Sequence, residues 1–311
     1  MQLGQHAPAH HVIAHVSDTH LGIEQSPVYR TLRPSARLEL VMARLAEIRP
    51  DAIVFTGDIA DLGEPEAYET VASIVVDAAA DMGAEVVWVM GNHDRRQPFA
   101  HRLLGQQTEP DVPLDYVIDL DGLRIIALDS TIPGYHDGEF TKDQLDWLRA
   151  ELSTPAPLGT VLAMHHPPVP THLPLMTLIE LARQDELAAA IEGSDVRTIL
   201  AGHYHYSAHS LLGSVPVSVA SATCYTLDVS ADPRGMQGSD GSQSFDLVHV
   251  HDDRIVHSTV PVSPGPLVVD YPVDALERIA AMTPHERREA FARIDANIDE
   301  VAAAHRATLE T

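Results

Sequence analysis

Six short apolar runs, five of them followed directly by a polar cluster, constrain the fold of this chain more than any other feature. They cover residues 12–16, 52–55, 86–90, 124–128, 161–164 and 198–201. Each is rich in Val, Ile or Leu with little alternation, the pattern of strands covered on both faces. Between several of them the spacing turns helical. Residues 37–48 place Leu38, Val41, Met42 and Leu45 on one stripe, residues 64–82 do the same with Tyr68, Val71, Val75 and Met82, and residues 178–191 are rich in Ala and Leu. Residues 141–152 open with Thr-Lys-Asp-Gln, a capping box in which Thr141 accepts from an early helix amide and Gln144 reaches back. Strand alternating with helix predicts an α/β layered core whose neighbouring strands are largely parallel.

The texture then changes. Residues 215–220, 245–250 and 254–260 have no helices between them, and His251-Asp252-Asp253 joins the last two as a tight hairpin, so antiparallel strands in a second sheet are expected. Residues 230–244, rich in Gly, Ser and Asp, are expected to form a mobile loop. Pro261, Pro264, Pro266 and Pro272 mark a linker. These signals predict a main domain over residues 12–262 and a C-terminal helical extension over 263–311. Within the extension, Thr283-Pro284-His285-Glu286 reads as a capped helix start. Phe291, Ile294, Ile298, Val301 and His305 follow at helical spacing, a stripe able to pack on the body or on a second subunit of a homodimer.

The 311 residues carry 45 Asp and Glu against 20 Lys and Arg, a net charge of −25 with histidines neutral. That balance argues against binding a nucleic-acid polymer, which needs cations for its phosphates, and against docking on an anionic membrane. No apolar run approaches the ~18 to 20 residues needed to span a bilayer. The one cysteine, Cys224, has no intrachain partner for a disulfide, and residues 1–11 lack the apolar core of a secretory signal, so a cytoplasmic protein is expected. Histidine stands out at 19 copies. About one His-x-His pair is expected by chance at that frequency; two occur, His203/His205 and His249/His251.

Placement separates them. Ser17-Asp18-Thr19-His20, Gly57-Asp58-Ile59-Ala60-Asp61, Gly91-Asn92-His93-Asp94, His165-His166-Pro167-Pro168 and Gly202-His203-Tyr204-His205 each follow an apolar run. In a layered α/β protein the carboxyl ends of the strands converge on one edge, where ligands bind. Any one cluster alone is an ordinary turn, helix cap or solvated loop; five at one edge make a site. Asp, His and Asn without thiolate suit borderline or hard ions such as Mn, Fe or Zn. The candidate ligands outnumber what one ion takes, so two ions sharing a carboxylate are expected. Such a pair makes hydroxide available near neutral pH and can hold both oxygens of an in-line phosphoryl displacement.

The order Asp-x-His, Gly-Asp-x-x-Asp, Gly-Asn-His-Asp, His, Gly-His-x-His resembles the calcineurin-like metallophosphoesterase superfamily over residues 12 to about 260. Ser-Asp-Thr-His, the Val-Trp-Val-Met before Gly-Asn-His-Asp, and Ser-Ala-Thr-Cys-Tyr-Thr at 221–226 are similar to the bacterial class III cyclic nucleotide phosphodiesterases. The resemblance implies a four-layer core, two mixed β-sheets packed as a sandwich and flanked by helices, with a dinuclear metal site at strand C-terminal ends. It implies one metal on Asp18, His20, Asp58 and His205 and a second on Asp58, Asn92, His165 and His203, with Asp58 bridging. His93 would not ligate but would assist the leaving oxygen, oriented by Asp94. His166 is then structural, and His249/His251 have no part.

The implied activity is hydrolysis of a small phosphodiester by a metal-bridging hydroxide, with 3′,5′-cyclic AMP or a 2′,3′-cyclic nucleotide as substrate. A glycerophosphodiester or nucleotide-sugar pyrophosphate hydrolase is the alternative enzyme. A non-catalytic scaffold on the same fold is the alternative of another class, and it should have lost ligands that this chain retains. Asp61-Leu62-Gly63 and Asp18-Thr19-His20-Leu21 depart from the Arg-Gly and Gly-Asp-x-His-Gly forms of the protein phosphatases, which weighs against a phosphoprotein substrate. The loop from Pro133 to Gly138 either borders the substrate or is a plain turn.

Overall fold

The computed structural model describes residues 4–22, 31–232 and 234–292. These fall into two compact units, one spanning residues 9–264 and the other made of residues 4–8 and 265–292. In chain order the first unit contains β1 (His11–Val16), α1 (Pro34–Ile48), β2 (Ala52–Thr56), α2 (Pro65–Met82), β3 (Glu85–Val89), α3 (Arg96–Leu103), β4 (Tyr116–Leu120) and β5 (Leu123–Leu128). It continues with α4 (Lys142–Glu151), β6 (Thr160–Met164), a 3-10 turn (Met176–Ile179), α5 (Gln184–Ile191), β7 (Val196–Ala201), β8 (Ala208–Leu212) and β9 (Val215–Val219). The short β10 (Thr226–Leu227) and β11 (Gly238–Ser239) precede β12 (Ser244–Val250) and β13 (Ile255–Pro261). The second unit holds α6 (Val273–Ala281) and α7 (Pro284–Ala292). The 291–305 stripe lies outside the described side chains.

Two mixed sheets form the centre. The first has the order β13-β12-β1-β2-β3 and the second β4-β5-β6-β7-β9-β8. In the first, β1, β2 and β3 run parallel out to the β3 edge and the antiparallel β12 and β13 close the other side; in the second, β5, β6, β7 and β9 are parallel and the antiparallel β4 and β8 close the two edges. The antiparallel strands of the C-terminal half therefore do not make a separate sheet. β12 pairs antiparallel with the free edge of β1, whereas β9, expected to be antiparallel, pairs parallel with β7, so each extends an existing sheet.

Strand alternation sorts the core into three layers. Ile13, Val54 and Val87 on one sheet meet Ile125, Val161 and Leu200 on the other. The outer face of the first sheet packs Phe55 and Trp88 against the stripes of α1 and α2, including Leu38, Leu45, Tyr68 and Val71. The outer face of the second packs Ile126 and Leu162 against Leu145, Leu148, Leu187 and Ile191 of α4 and α5. Stacked as helix, sheet, sheet, helix, these elements bury their apolar stripes against one another.

Several boundaries differ from the sequence pattern for local reasons. Pro34 occupies the first turn of α1, where its missing amide costs nothing, so the helix begins three residues before Arg37. The Ala- and Leu-rich stretch expected as a helix from residue 178 becomes α5 only at Gln184. Gly138 intervenes: its amide donates to the Glu180 carbonyl at 3.2 Å and its carbonyl accepts from Ala182 at 2.8 Å, which draws residues 180–182 out of helix. Within residues 230–244, β11 pairs back on β10 in a two-residue antiparallel ladder. Thr141 and Gln144 do form the capping box of α4, and Thr283 and Glu286 cap α7 in the same reciprocal way. No helix among the described residues is long and apolar enough to cross a membrane.

Candidate metal centre

The turns that leave β1, β2, β3, β6 and β7 meet at one edge of the sandwich, and they carry all five polar clusters. Asp18, His20, Asp58, His203 and His205 adopt left-handed backbone with φ between 44° and 70°. That conformation is uncommon for non-glycine residues and turns each side chain inward at the strand tip. Gly91 is required by crowding: a Cβ there would lie 2.1 Å from the Asp58 amide nitrogen and 2.2 Å from Asp58 Oδ1.

Each of four imidazoles commits one nitrogen outward. His20 Nδ1–H donates to Asp61 Oδ1 at 3.1 Å, His165 Nδ1–H to the Thr56 carbonyl at 2.8 Å, His203 Nε2–H to the Ile179 carbonyl at 2.8 Å and His205 Nδ1–H to the Tyr225 carbonyl at 3.1 Å. These bonds fix the tautomers and leave the remaining nitrogens facing inward as acceptors.

Those inward atoms crowd together. His20 Nε2 lies 3.1 Å from His205 Nε2 and 3.4 Å from Asp58 Oδ2, while His205 Nε2 lies 3.4 Å from Asp18 Oδ1. On the other side of Asp58, His165 Nε2 lies 3.4 Å from Asp58 Oδ2, 3.0 Å from Asn92 Oδ1 and 3.2 Å from His203 Nδ1. Lone pairs and carboxylate oxygens at such distances require positive charge among them. A metal with ligands ~2.1 Å away at angles of ~90 to 110° sets its donors ~3.0 to 3.4 Å apart. The donor set thus fits two cation positions joined by Asp58.

The electrostatics express the same demand. Burial alone would raise Asp58, yet His165 and His20 pull its carboxyl well below the ordinary range. Burial likewise opposes ionisation of Asp18, but His205 and His165 bring it down to about 2. Burial would lower His165, and the Asp58 and Asp18 carboxylates instead lift it to about 9; Asp18 lifts His205 well above its usual value against burial. Burial holds His20 and His203 down, so these two favour the neutral, coordinating form.

A family model for calcineurin-like phosphoesterases matches residues 11–207, the span that delivers every one of these side chains. The chain belongs to the calcineurin-like phosphoesterase family. Among relatives of this phosphoesterase, a probable cyclic nucleotide phosphodiesterase of Rhodococcus erythropolis is 51% identical over 269 residues, covering 86% of this chain and 88% of its own. A cAMP/cGMP dual specificity phosphodiesterase of Mycobacterium tuberculosis is 46% identical over 284 residues, covering 90% and 89%. The fold is similar to that of a dimetal phosphatase from Danio rerio, with TM-score 0.60 at 16% identity, covering 83% of this chain and 98% of that one.

Beside the centre, the phosphoesterase places His93 on the turn after β3, its ring edge-on to His20 at 4.7 Å between centroids. His93 Nδ1–H donates to the Asp61 carbonyl at 2.7 Å, which leaves Nε2 directed elsewhere. Asp94 is not what orients this ring. Its carboxylate accepts the amides of Ile59, Ala60 and Gly91 and the Tyr68 hydroxyl, bonds of 2.9 to 3.1 Å that lock the β2 and β3 turns together. Burial and the Asp58 charge push Asp94 up to about 7 against those amides.

The sequence pattern gives Asp61 no part, yet its side chain positions His20 and its carbonyl positions His93. The Asp58-x-x-Asp61 spacing was the available signal. His136 carries no signal of its own in the sequence: its Nδ1 accepts from Asn92 Nδ2 at 2.9 Å, turning the amide oxygen inward, and its ring is 5.4 Å from that of His93. The loop from Pro133 to Gly138 therefore borders the site. His166 anchors that loop, bonding Ser130 Oγ at 2.8 Å and the His136 carbonyl at 3.0 Å, and burial holds it neutral, down at about 3. His249 pairs with Val12 at the opposite edge of the sheet from the centre.

Proposed function

We propose that this phosphoesterase is a metal-dependent hydrolase of small phosphodiesters, with a cyclic nucleotide, 3′,5′-cyclic AMP foremost, as substrate. The convergence of acceptor atoms on two positions about Asp58 carries the reading, and the names of the relatives support the substrate class. In this reading Asp18, His20, Asp58 and His205 hold one ion, and Asp58, Asn92, His165 and His203 the other. The donor chemistry suits Mn, Fe or Zn. When bound, the ions supply Lewis acidity that activates water near neutral pH and offsets charge on the phosphoryl oxygens.

The chain's own residues do the rest. Asp58 would contribute to both ion positions, and its Oδ1 accepts the His93 amide at 2.9 Å, which ties the turn that carries His93 to this carboxylate. His93, held through Nδ1 by Asp61, presents Nε2; as imidazolium it gives its proton to the departing ribose oxygen, a contribution of typically 10² to 10⁴ in rate. Asp61 orients that ring and Asp94 braces the turns behind it.

The same proposal takes residues 12–262 as the catalytic domain and residues 263–311 as an extension. It also takes the protein as cytoplasmic, as a possible homodimer, and as having no polymer or membrane partner. The charge of −25 supports the last point for long polyanions. It does not oppose a small diester, because the positive charge arrives with the ions.

Protein reconstituted with Mn should contain about two ions per chain by elemental analysis. It should hydrolyse cyclic AMP, with Asn92→Ala at least about 100-fold slower. An Asn92→Ala protein as active as wild type, or a wild type that binds no transition metal, would overturn the assignment. A panel including a 2′,3′-cyclic nucleotide and glycerophosphoethanolamine ranks the substrates.

A further inference from the structure

The turn after Asp61 and the turn after His93 run side by side. Gly63 has φ +69°, and a Cβ on it would meet Arg95 Cγ at 2.5 Å and Arg95 Cβ and Cδ at 3.0 Å. The aliphatic stem of Arg95 is therefore seated on the Gly63 backbone, where no other residue leaves room for it. Its backbone is fixed as well, because the Arg95 amide donates to the Tyr68 hydroxyl at 3.0 Å. The guanidinium has no hydrogen-bond or ion-pair partner among the described residues, and the residue is exposed. Leu62, next to Gly63, is 61% exposed. One residue further back, the Asp61 carbonyl holds His93.

A stem held in place, a head group left unpaired in a chain of net charge −25 and an apolar neighbour at the rim of the centre call for a ligand. The phosphoryl group is met by the centre itself, and what remains for this rim is the part of the substrate beyond it. A guanidinium backed by an aliphatic side chain presents a flat, weakly hydrated cation, which stacks on an aromatic ring better than it solvates a second anion.

We infer that Arg95 and Leu62 form the binding surface for the nucleobase of the substrate and that Arg95 is a specificity-determining residue. This rests on the cyclic-nucleotide reading above. The Arg95 guanidinium lies against the face of the base, and Leu62 covers its edge. A diester without a base gains nothing from either side chain.

The test compares kcat and KM for cyclic AMP and for glycerophosphoethanolamine in Mn-loaded wild type, Arg95→Ala, Arg95→Lys and Leu62→Ser. Arg95→Ala should raise KM for cyclic AMP about tenfold, with kcat nearly unchanged, since stacking holds the ground state and transition state alike. Arg95→Lys should recover little of this, because an ammonium has no plane to stack. Leu62→Ser should raise KM about threefold. None should alter turnover of glycerophosphoethanolamine or metal content. Equal KM for cyclic AMP in wild type and Arg95→Ala, or full rescue by lysine, would overturn the stacking assignment while leaving the proposed function standing. A wild type inactive on every cyclic nucleotide would overturn that function instead.

Discussion

The Tyr68 hydroxyl donates to Asp94 Oδ1 at 3.0 Å and accepts the Arg95 amide at 3.0 Å, so one buried phenol on α2 fastens two consecutive residues directly after Asn92 and His93. Tyr68 is fully buried, and the carboxylate it meets is already bonded to three amides. Neither group has water as a substitute partner. The pair therefore couples the helix layer directly to the metal centre.

Tyr68→Phe should cost about 1 to 3 kcal/mol, since it leaves the Asp94 oxygen and the Arg95 amide short of a partner. Asp94→Ala should cost more, roughly 3 kcal/mol or above, because three buried amides lose their acceptor. Denaturant unfolding measures both. If Asp94→Asn instead kept full stability and removed one limb of the pH–rate profile, Asp94 would be acting on the proton transfer and the bracing role would be wrong.

Asp61→Ala should weaken metal binding about 10- to 100-fold, the usual consequence of removing the carboxylate behind a ligating imidazole. The Asp61 carbonyl survives the substitution, so His93 keeps its anchor and the loss should be recovered at high metal concentration. Calorimetric titration with Mn reads the effect without any substrate. An unchanged affinity would show that the 3.1 Å bond to His20 contributes nothing to the centre.

A separate histidine governs acid stability. His15 in β1 is fully buried, bonds Thr56 Oγ1 at 2.9 Å through Nε2 and has no partner for Nδ1 among the described residues. Burial, reinforced by His257, holds it down at about 3 against an ordinary 6.5. Above pH 6.5 it is neutral folded or unfolded. Below that the unfolded chain takes up a proton that the folded chain refuses, so stability falls from pH ~6.5 toward ~3 by up to about 1.4 kcal/mol per pH unit. His15→Gln removes this component. Unfolding free energies at pH 7, 6 and 5 should then drop more steeply for wild type than for the variant, and parallel lines would refute the assignment.

The central strands were legible because a strand covered on both faces has to be apolar throughout, as in Ile53, Val54 and Phe55. β4 and β8 were not, since they close the second sheet's edges and residues such as Asp119, His209 and Ser210 face outward. α3 carries Pro98 and only Phe99 and Ala100 as buried apolar residues, too few for a stripe. The seven candidate ligands could be read because Asp, His and Asn at strand ends have few other reasons to cluster. The division of labour between Asp61 and Asp94 could not. Adjacency to His93 says nothing about direction, and the amides of Ile59, Ala60 and Gly91 claim Asp94 first. The groups that set the tautomers, the carbonyls of Thr56, Ile179 and Tyr225, are main chain and leave no mark on residue type.

The left-handed turns at Asp18, His20, Asp58, His203 and His205 carry a consequence for any attempt to cut the protein down. Each such residue costs of the order of 1 to 3 kcal/mol, so five together rival the ~5 to 15 kcal/mol by which a whole domain outlasts its unfolded state. On the proposed ligand set, a peptide bearing the motifs should not capture the ions, nor should the half of the chain that ends before β6, which lacks His165, His203 and His205. Only the finished sandwich has the rigidity to hold ten backbone angles where an isolated chain would abandon them. Engineering of the metal preference must therefore start from variants with stability to spare.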